Sequence, residues 1–189
     1  MYKRCVAEQS SKRQRELESG LLKAMSTHRY EDIAISQLCD DMNVPRKSFY
    51  RYFSSKEGAL FALIDHTCMD FLASFMGGTS NATSETMVAF FKFWMEKRTL
   101  LDALMRSGLS GVLVQRSIAL ASTDNTVAKS FFPSIPDNLR NHGLVFMVSG
   151  LMSLVIEWHH SGFKDDPREM ADIAATLLTK PLYRSGLEK

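Results

Sequence analysis

Arg46, Lys47, Arg51 and Lys56 put four cations beside Tyr50, Tyr52 and the Ser48 hydroxyl in one short stretch of the chain. Guanidinium and ammonium groups neutralise phosphates, arginine fits guanine O6 and N7 as a bidentate pair, and phenols donate hydrogen bonds to phosphate oxygens. These are the side chains that gripping and reading a nucleic acid requires. A solvated charged face over a small aromatic core has the same composition, so the elements that hold these residues must decide between the two.

Those elements are short helices. Ile35, Leu38, Cys39 and Met42 give a two-turn helix with one apolar face, and Asn43, tolerant of left-handed geometry, ends it. Pro45 suits a first helical turn, where its missing N–H is not needed, so Val44-Pro45 predicts entry to a third helix over about 46–53. Ahead of both, Leu17, Leu21, Leu22 and Met25 recur at helical spacing and predict a first helix over 10–27. Gly20 sits inside it at a cost of about 1 kcal/mol relative to alanine.

Three short helices in this order make a helix-turn-helix unit, whose last helix lies in a DNA major groove while neighbouring helix ends and basic side chains hold phosphates. Arg46, Lys47 and Ser48 then reach base edges or flanking phosphates, and Tyr50, Arg51 and Tyr52 hold the backbone. Ser36 and Gln37 on the preceding helix join the predicted DNA-binding set. Ser54 and Ser55 offer an N-cap to a fourth helix over about 56–75, and Lys56 stands beside N–H groups whose partial positive charge favours an anion. Cys39 and Phe53 fall on the buried side of this head and need no chemistry.

The series Tyr30-Glu31, Ile33, Ile35, Leu38, Val44, Ser48-Phe49-Tyr50, Tyr52-Phe53 and Ser55-Lys56-Glu57 resembles the N-terminal signature of the TetR family of bacterial transcriptional regulators, over about residues 10–65. Met42-Asn43 stands where that family usually has Ala-Gly, Pro45 where it usually has serine or threonine, and Lys47 where glycine is common. Asn43 still suits the turn and Pro45 the helix start, so the departures leave the fold intact. The Arg46-Lys47 pair means that base preference is not borrowed from any relative.

The resemblance implies a DNA-binding head over residues 1–55, joined by the fourth helix to an effector-binding and dimerisation body over 56–189. It implies a homodimer in which the last two helices pair with their copies in a four-helix bundle. Ser149, Gly150 and Ser153 are small enough to let a helix approach there, and Ile173 and Leu177 join the contact. It also implies an apolar effector pocket, with Phe90, Trp94, Met105 and Met147 as its lining candidates. Core packing explains most of the body's aromatic residues and methionines equally well.

The totals agree with a polyanion-binding head on a body with another task. Net charge is only +2, yet residues 1–56 hold eleven Lys or Arg against seven Asp or Glu, and residues 57–189 hold twelve against fourteen. With 189 residues and 45% hydrophobic composition the chain needs no staples. Beyond a loop over 77–84, helices are expected over 85–97, 99–106, 108–121 and 139–160. The polar run 122–126 and Pro133 and Pro136 interrupt them. A last helix capped by Asp166-Pro167 runs to about 178. No β pattern occurs, so the expected fold class is all-α.

Several function classes drop out. Cys5, Cys39 and Cys68 match no metal-ligand spacing and read as reduced thiols. His142, His159 and His160 are not a metal set, because adjacent helical residues point about 100° apart. No G-x-S-x-G, H-E-x-x-H or phosphate-cradling glycine loop is present, so no enzyme and no cofactor is expected. No segment reaches about 18 apolar residues free of charge, and no signal peptide precedes the first helix, so a cytoplasmic protein is expected. The implied whole is a regulator of double-stranded DNA with a two-fold symmetric operator, a repressor released by an unidentified small-molecule effector. Its rivals are an activator or co-regulator acting through a protein partner, and a helical interaction module without DNA binding.

Overall fold

A computed structural model describes residues 1–3, 5–76, 83–123, 129 and 135–180. The order is α1 (Glu8–Thr27), a 3-10 turn (Tyr30–Asp32), α2 (Ile35–Asp41), α3 (Arg46–Tyr50), α4 (Lys56–Met76), α5 (Thr83–Glu96), α6 (Arg98–Arg106), α7 (Ser110–Ala121), α8 (Asp137–His160) and α9 (Pro167–Thr179). The fold is all-α. Among the described residues β pairing is confined to one isolated bridge, Tyr2 with Phe53. Of the predicted loop at 77–84, residues 83 and 84 instead open α5; residues 77–82, most of the polar run and Pro133 lie outside the described residues.

Local rules set three of the helix ends. Asn43 adopts φ 51°, and around it Val44 N–H bonds Cys39 O at 2.9 Å while Asn43 N–H bonds Asp40 O at 3.0 Å. This is a Schellman cap, closed by contact between buried Cys39 and Val44. The end of α8 repeats it: Gly162 has φ 80°, Phe163 N–H bonds Trp158 O at 2.9 Å, and the two rings meet edge to face at 4.8 Å. α9 begins with a capping box, in which the Asp166 carboxylate accepts from the Arg168 and Glu169 N–H groups and Glu169 answers to the Asp166 N–H. Hydrogen bonds from the Glu169 and Arg168 backbone hold the Asp166 carboxyl below its ordinary pKa.

The third helix is shorter than predicted and ends at Tyr50. Tyr52 and Phe53 N–H both turn back onto Phe49 O, which drops Phe53 into the core and leaves residues 52–54 extended enough to pair with residues 1–3. Gly20 also has a reason to sit inside α1, since a Cβ there would lie 2.1 Å from Met42 Sδ.

α1 packs on both α4 and α6, α4 on α7, α7 on α8, and α5 on α9. By length and composition α8 would suffice to cross a membrane. Its stripe of Leu144, Met147, Leu151, Val155 and Trp158 is buried instead, and it serves as the central core helix of the body. The cap at Asn43 gives a direct test. Asn43→Ala should destabilise by about 1 kcal/mol because alanine keeps the Cβ that opposes left-handed geometry but loses the short polar side chain whose local hydrogen bonding offsets it. Asn43→Gly should stay within about 0.5 kcal/mol of the parent in urea denaturation.

Candidate nucleic-acid interface

α3 is anchored by one buried side chain. Phe49 is fully covered, packed against Phe53 at 5.1 Å and edge-on to Tyr50 at 5.6 Å. With Phe49 inward, residues 46, 47, 50 and 51 spread over an outward arc of about 140° at 100° per residue. Arg46, Lys47, Tyr50 and Arg51 are all exposed, Tyr50 by 54%. None of the three cations has a hydrogen-bond or ion-pair partner among the described residues. Ser48 and Ser36 are half-buried, and Gln37 is exposed with its amide donating to Asp41 Oδ1 at 2.7 Å. The exposed predicted residues of α3 thus share one side of that helix.

Two predicted members do not join it. The Lys56 ammonium, expected beside an anion, turns inward and donates to Tyr30 O at 2.6 Å, Ile33 O at 2.7 Å and Glu31 O at 3.1 Å. It also lies over the Tyr30 ring at 4.5 Å. All three of its protons are committed to carbonyls of the connection between α1 and α2. Burial lowers its pKa, with Asp32 and Glu31 opposing. Tyr52, expected at a phosphate, is only 8% exposed and belongs to the core.

The N-terminus of α4, where an anion was expected, is closed from within. Ser55 Oγ accepts from Gly58 N–H at 3.1 Å, and Met1 O accepts from Ser54 N–H at 3.1 Å and Ser54 Oγ at 2.7 Å. A Cβ on Gly58 would lie 2.4 Å from the same carbonyl, so only glycine allows this approach.

Sequence reasoning missed the ties between head and body. The Ser107 hydroxyl, at the end of α6, accepts from Tyr30 N–H at 2.9 Å, and Arg106 donates to the Met25 and Ser26 carbonyls at the end of α1. Lys3 N–H bonds Tyr52 O at 2.9 Å, and the Tyr2 hydroxyl reaches Asp65 on α4 at 2.6 Å. Asp65, 3% exposed, is held by Arg116 of α7 through both its oxygens, and that bonding raises the arginine's pKa. On α1 the buried Glu18 meets His66 Nδ1 at 2.9 Å. A carboxylate on an apolar stripe was the available signal for Glu18; the other ties left none.

The body encloses an apolar cavity of about 90 Å³ between α4, α5, α7 and α8. Phe90, Trp94 and Met147 line it as expected, with Phe71, Leu144 and Leu151. Met105 does not. It lies in the last turn of α6, the helix that packs on α1, and is half-buried against the core. His159 ties α8 to α6 through Asp102, Nε2 to Oδ1 at 2.7 Å.

A groove between α8 and α9 is lined by Phe146, Gly150, Ser153, Leu154, Leu177 and Leu178. Phe146 is 69% exposed and Ile173 and Leu177 are each 41% exposed, and a Cβ at Gly150 would meet nothing within 4 Å. Ser149 is half-buried and lies outside the groove. Phe146 escaped the sequence reading because it lies within an apolar run whose inner and outer faces look alike.

No protein-family model matches this sequence, and no curated protein matches it. Solved structures do. A TetR-family transcriptional regulator from Streptomyces coelicolor superposes with a TM-score of 0.60 at 17% identity, over 89% of this chain and 79% of that one. The fatty acid degradation regulator FadR from Bacillus halodurans superposes with a TM-score of 0.57 at 13% identity, over 91% and 97% respectively. Likeness at such identity is one of fold, and the chain has the TetR-type fold.

The altered role of Lys56 is measurable. Lys56→Met should lower folding stability by roughly 1–3 kcal/mol, because it strips charged hydrogen bonds from partly buried carbonyls. Arg46→Ala and Lys47→Ala should stay within about 0.5 kcal/mol of the parent in the same denaturation series, as exposed substitutions do.

Proposed function

We propose that the chain is a homodimeric one-component transcriptional regulator. Its head over residues 1–55 grips double-stranded DNA, and its body over 56–189 binds a small molecule without any cofactor and dimerises. Repression relieved by that molecule is the proposed sense, and the bacterial cytoplasm is the proposed place. The observation that carries the reading is the exposed arc of Arg46, Lys47, Tyr50 and Arg51 on α3. Free cations on the outer side of a short helix, with neighbours that close its inner side, are what entry into a major groove requires. Ser36, Gln37 and Ser48 flank the arc. Both solved structures of this fold cited above are named as regulators, which favours the same assignment.

The groove between α8 and α9 supports pairing of two copies. Exposed Phe146, Ile173 and Leu177 form an apolar strip beside small Gly150 and Ser153, and two such strips related by a two-fold axis bury each other. Two heads held at a fixed spacing then read two half-sites.

α4 supports a route from ligand to DNA. It carries Cys68 and Phe71 in the cavity wall and Lys56 against the head. The α6 end grips α1 through Arg106 and the turn after it through Ser107, so a shift of α4 against α6 turns the head. Such coupling is typically worth about 1–3 kcal/mol, and the ligand must favour one arrangement by that much.

Selection of bound fragments from random duplex DNA should return a two-fold symmetric site. Arg46→Ala and Lys47→Ala should change which bases are preferred, each good contact being worth about 1–3 kcal/mol. Arg51→Ala should weaken all duplexes evenly and flatten the salt slope by about one unit. Binding without preference over random duplex and without steep salt dependence would end the regulator reading. Phe146→Glu combined with Leu177→Glu should yield a folded monomer in analytical ultracentrifugation, whereas an unchanged mass would rule out the groove as the dimer contact.

A further inference from the structure

The cavity's walls narrow what it takes. Phe71 and Phe90 meet edge to face at 5.4 Å, Phe90 and Trp94 at 6.4 Å, and Met147 and Leu144 close the α8 side. Among the described lining residues none is charged. An ion entering would lose its hydration with nothing to replace it.

Among the described lining residues the polar side chains are Thr86 on α5, which already has a partner, and Cys68 and Ser117, which meet at the seam of α4 and α7. Cys68 Sγ lies 3.5 Å from Ser117 Oγ, and the Ser117 hydroxyl donates to Leu113 O at 2.9 Å. With that proton committed, the thiol is the donor of the sulfur contact. A hydroxyl oxygen has two lone pairs. One receives the thiol, and the other remains for a visitor. Burial pushes the Cys68 thiol up to about 11, so at neutral pH the sulfur keeps its proton and adds no charge.

We infer that this cavity takes an uncharged, mainly hydrocarbon molecule with a single hydrogen-bond donor, an alcohol or phenol, whose O–H donates to Ser117 Oγ. The inference rests on the effector reading of the cavity given above and adds its chemical class. Acceptor-only molecules such as ketones fit the walls but leave Ser117 without a new partner. Size links ligand to switch. A dry apolar cavity of about 150 Å³ takes benzene, so one of about 90 Å³ holds only a few non-hydrogen atoms before its walls move. Met87, Met147 and Met152 line it, and their unbranched side chains re-pack around a longer guest. The guest thereby selects an expanded arrangement of α4, α5, α7 and α8.

The test uses the full chain and four eight-carbon probes, 1-octanol, 2-octanone, octanoate and octylammonium, followed by calorimetric titration and thermal shift. 1-Octanol should bind about fivefold tighter than 2-octanone, the factor one neutral hydrogen bond supplies. Octanoate and octylammonium should bind at least about 100-fold more weakly, because neither charge is met. Ser117→Ala should make 1-octanol and 2-octanone equal while both still bind. Ala121→Phe and, separately, Leu144→Phe should abolish binding by filling the cavity.

Tighter binding of either ion, an alcohol preference that survives Ser117→Ala, absence of 1-octanol binding, or unchanged binding in both filled variants overturns the inference. Affinity for selected duplex DNA, measured with each probe present, separates this inference from the reading beneath it. 1-Octanol that binds with this ranking and leaves DNA affinity unchanged upholds the ligand class and removes the effector role. Octanoate that both binds tightest and releases DNA does the reverse.

Discussion

The structure hinges on one cation meeting three carbonyls. The connection between α1 and α2 must turn sharply, and its 3-10 turn supplies the Tyr30 carbonyl with only the Ile33 N–H, at 3.3 Å. The Lys56 ammonium gathers that carbonyl with those of Glu31 and Ile33. A lysine in the first turn of a helix opposes the helix dipole, so the residue gains nothing from its own helix and is held by what it binds. Its placement fixes the start of α4 against the segment that leads into α2. Through the Asn43 cap and Phe49, that choice sets which face α3 turns to solvent.

From that anchor α4 runs as a single beam. Lys56 and Phe71 are about 22 Å apart along it at 1.5 Å per residue, one gripping the head and the other lining the cavity. Asp65 lies between them, tied to residue 2 on one side and to α7 on the other. α1 belongs to the head by sequence, yet it packs on α4 and on α6 alike. The seam between head and body is therefore held by polar contacts, part-buried at Tyr30, Glu18 and Asp65 and exposed where Arg106 meets Ser26, and the part-buried ones tolerate little misalignment. A rigid seam passes displacement on, whereas a flexible linker would absorb it.

Charge is sorted along the same beam. Cations without partners among the described residues lie on the outer arc of α3, paired ions line the flanks of α4, and the cavity's described walls carry none. An apolar site whose few polar atoms are already hydrogen-bonded discriminates mainly by what it refuses to desolvate. The exposed arc of Arg46, Lys47 and Arg51, without partners among the described residues, keeps its charge in water. One chain supports both because helix packing keeps the low-dielectric interior apart from the head's outer surface.

The amino-acid sequence alone determined what adjacent residues decide. Apolar spacing set the helices, and Asn43 and Asp166-Pro167 set two of their ends, because each of these depends on neighbours within a turn or two. Tertiary structure decided the rest. Lys56 was legible as a cation at a helix start but not as a ligand of carbonyls 23 to 26 positions away. Tyr52 was legible as a phenol but not as core. Met105 was legible as an apolar residue of a body helix but not as one turned from the cavity. Arg106 and Met25 meet across 81 positions, and Tyr2 and Asp65 across 63. Periodicity tells a helix that it has an inside; only packing says which helix that inside meets, because contact between distant segments is chosen by the whole fold and leaves no mark in the residues beside either partner.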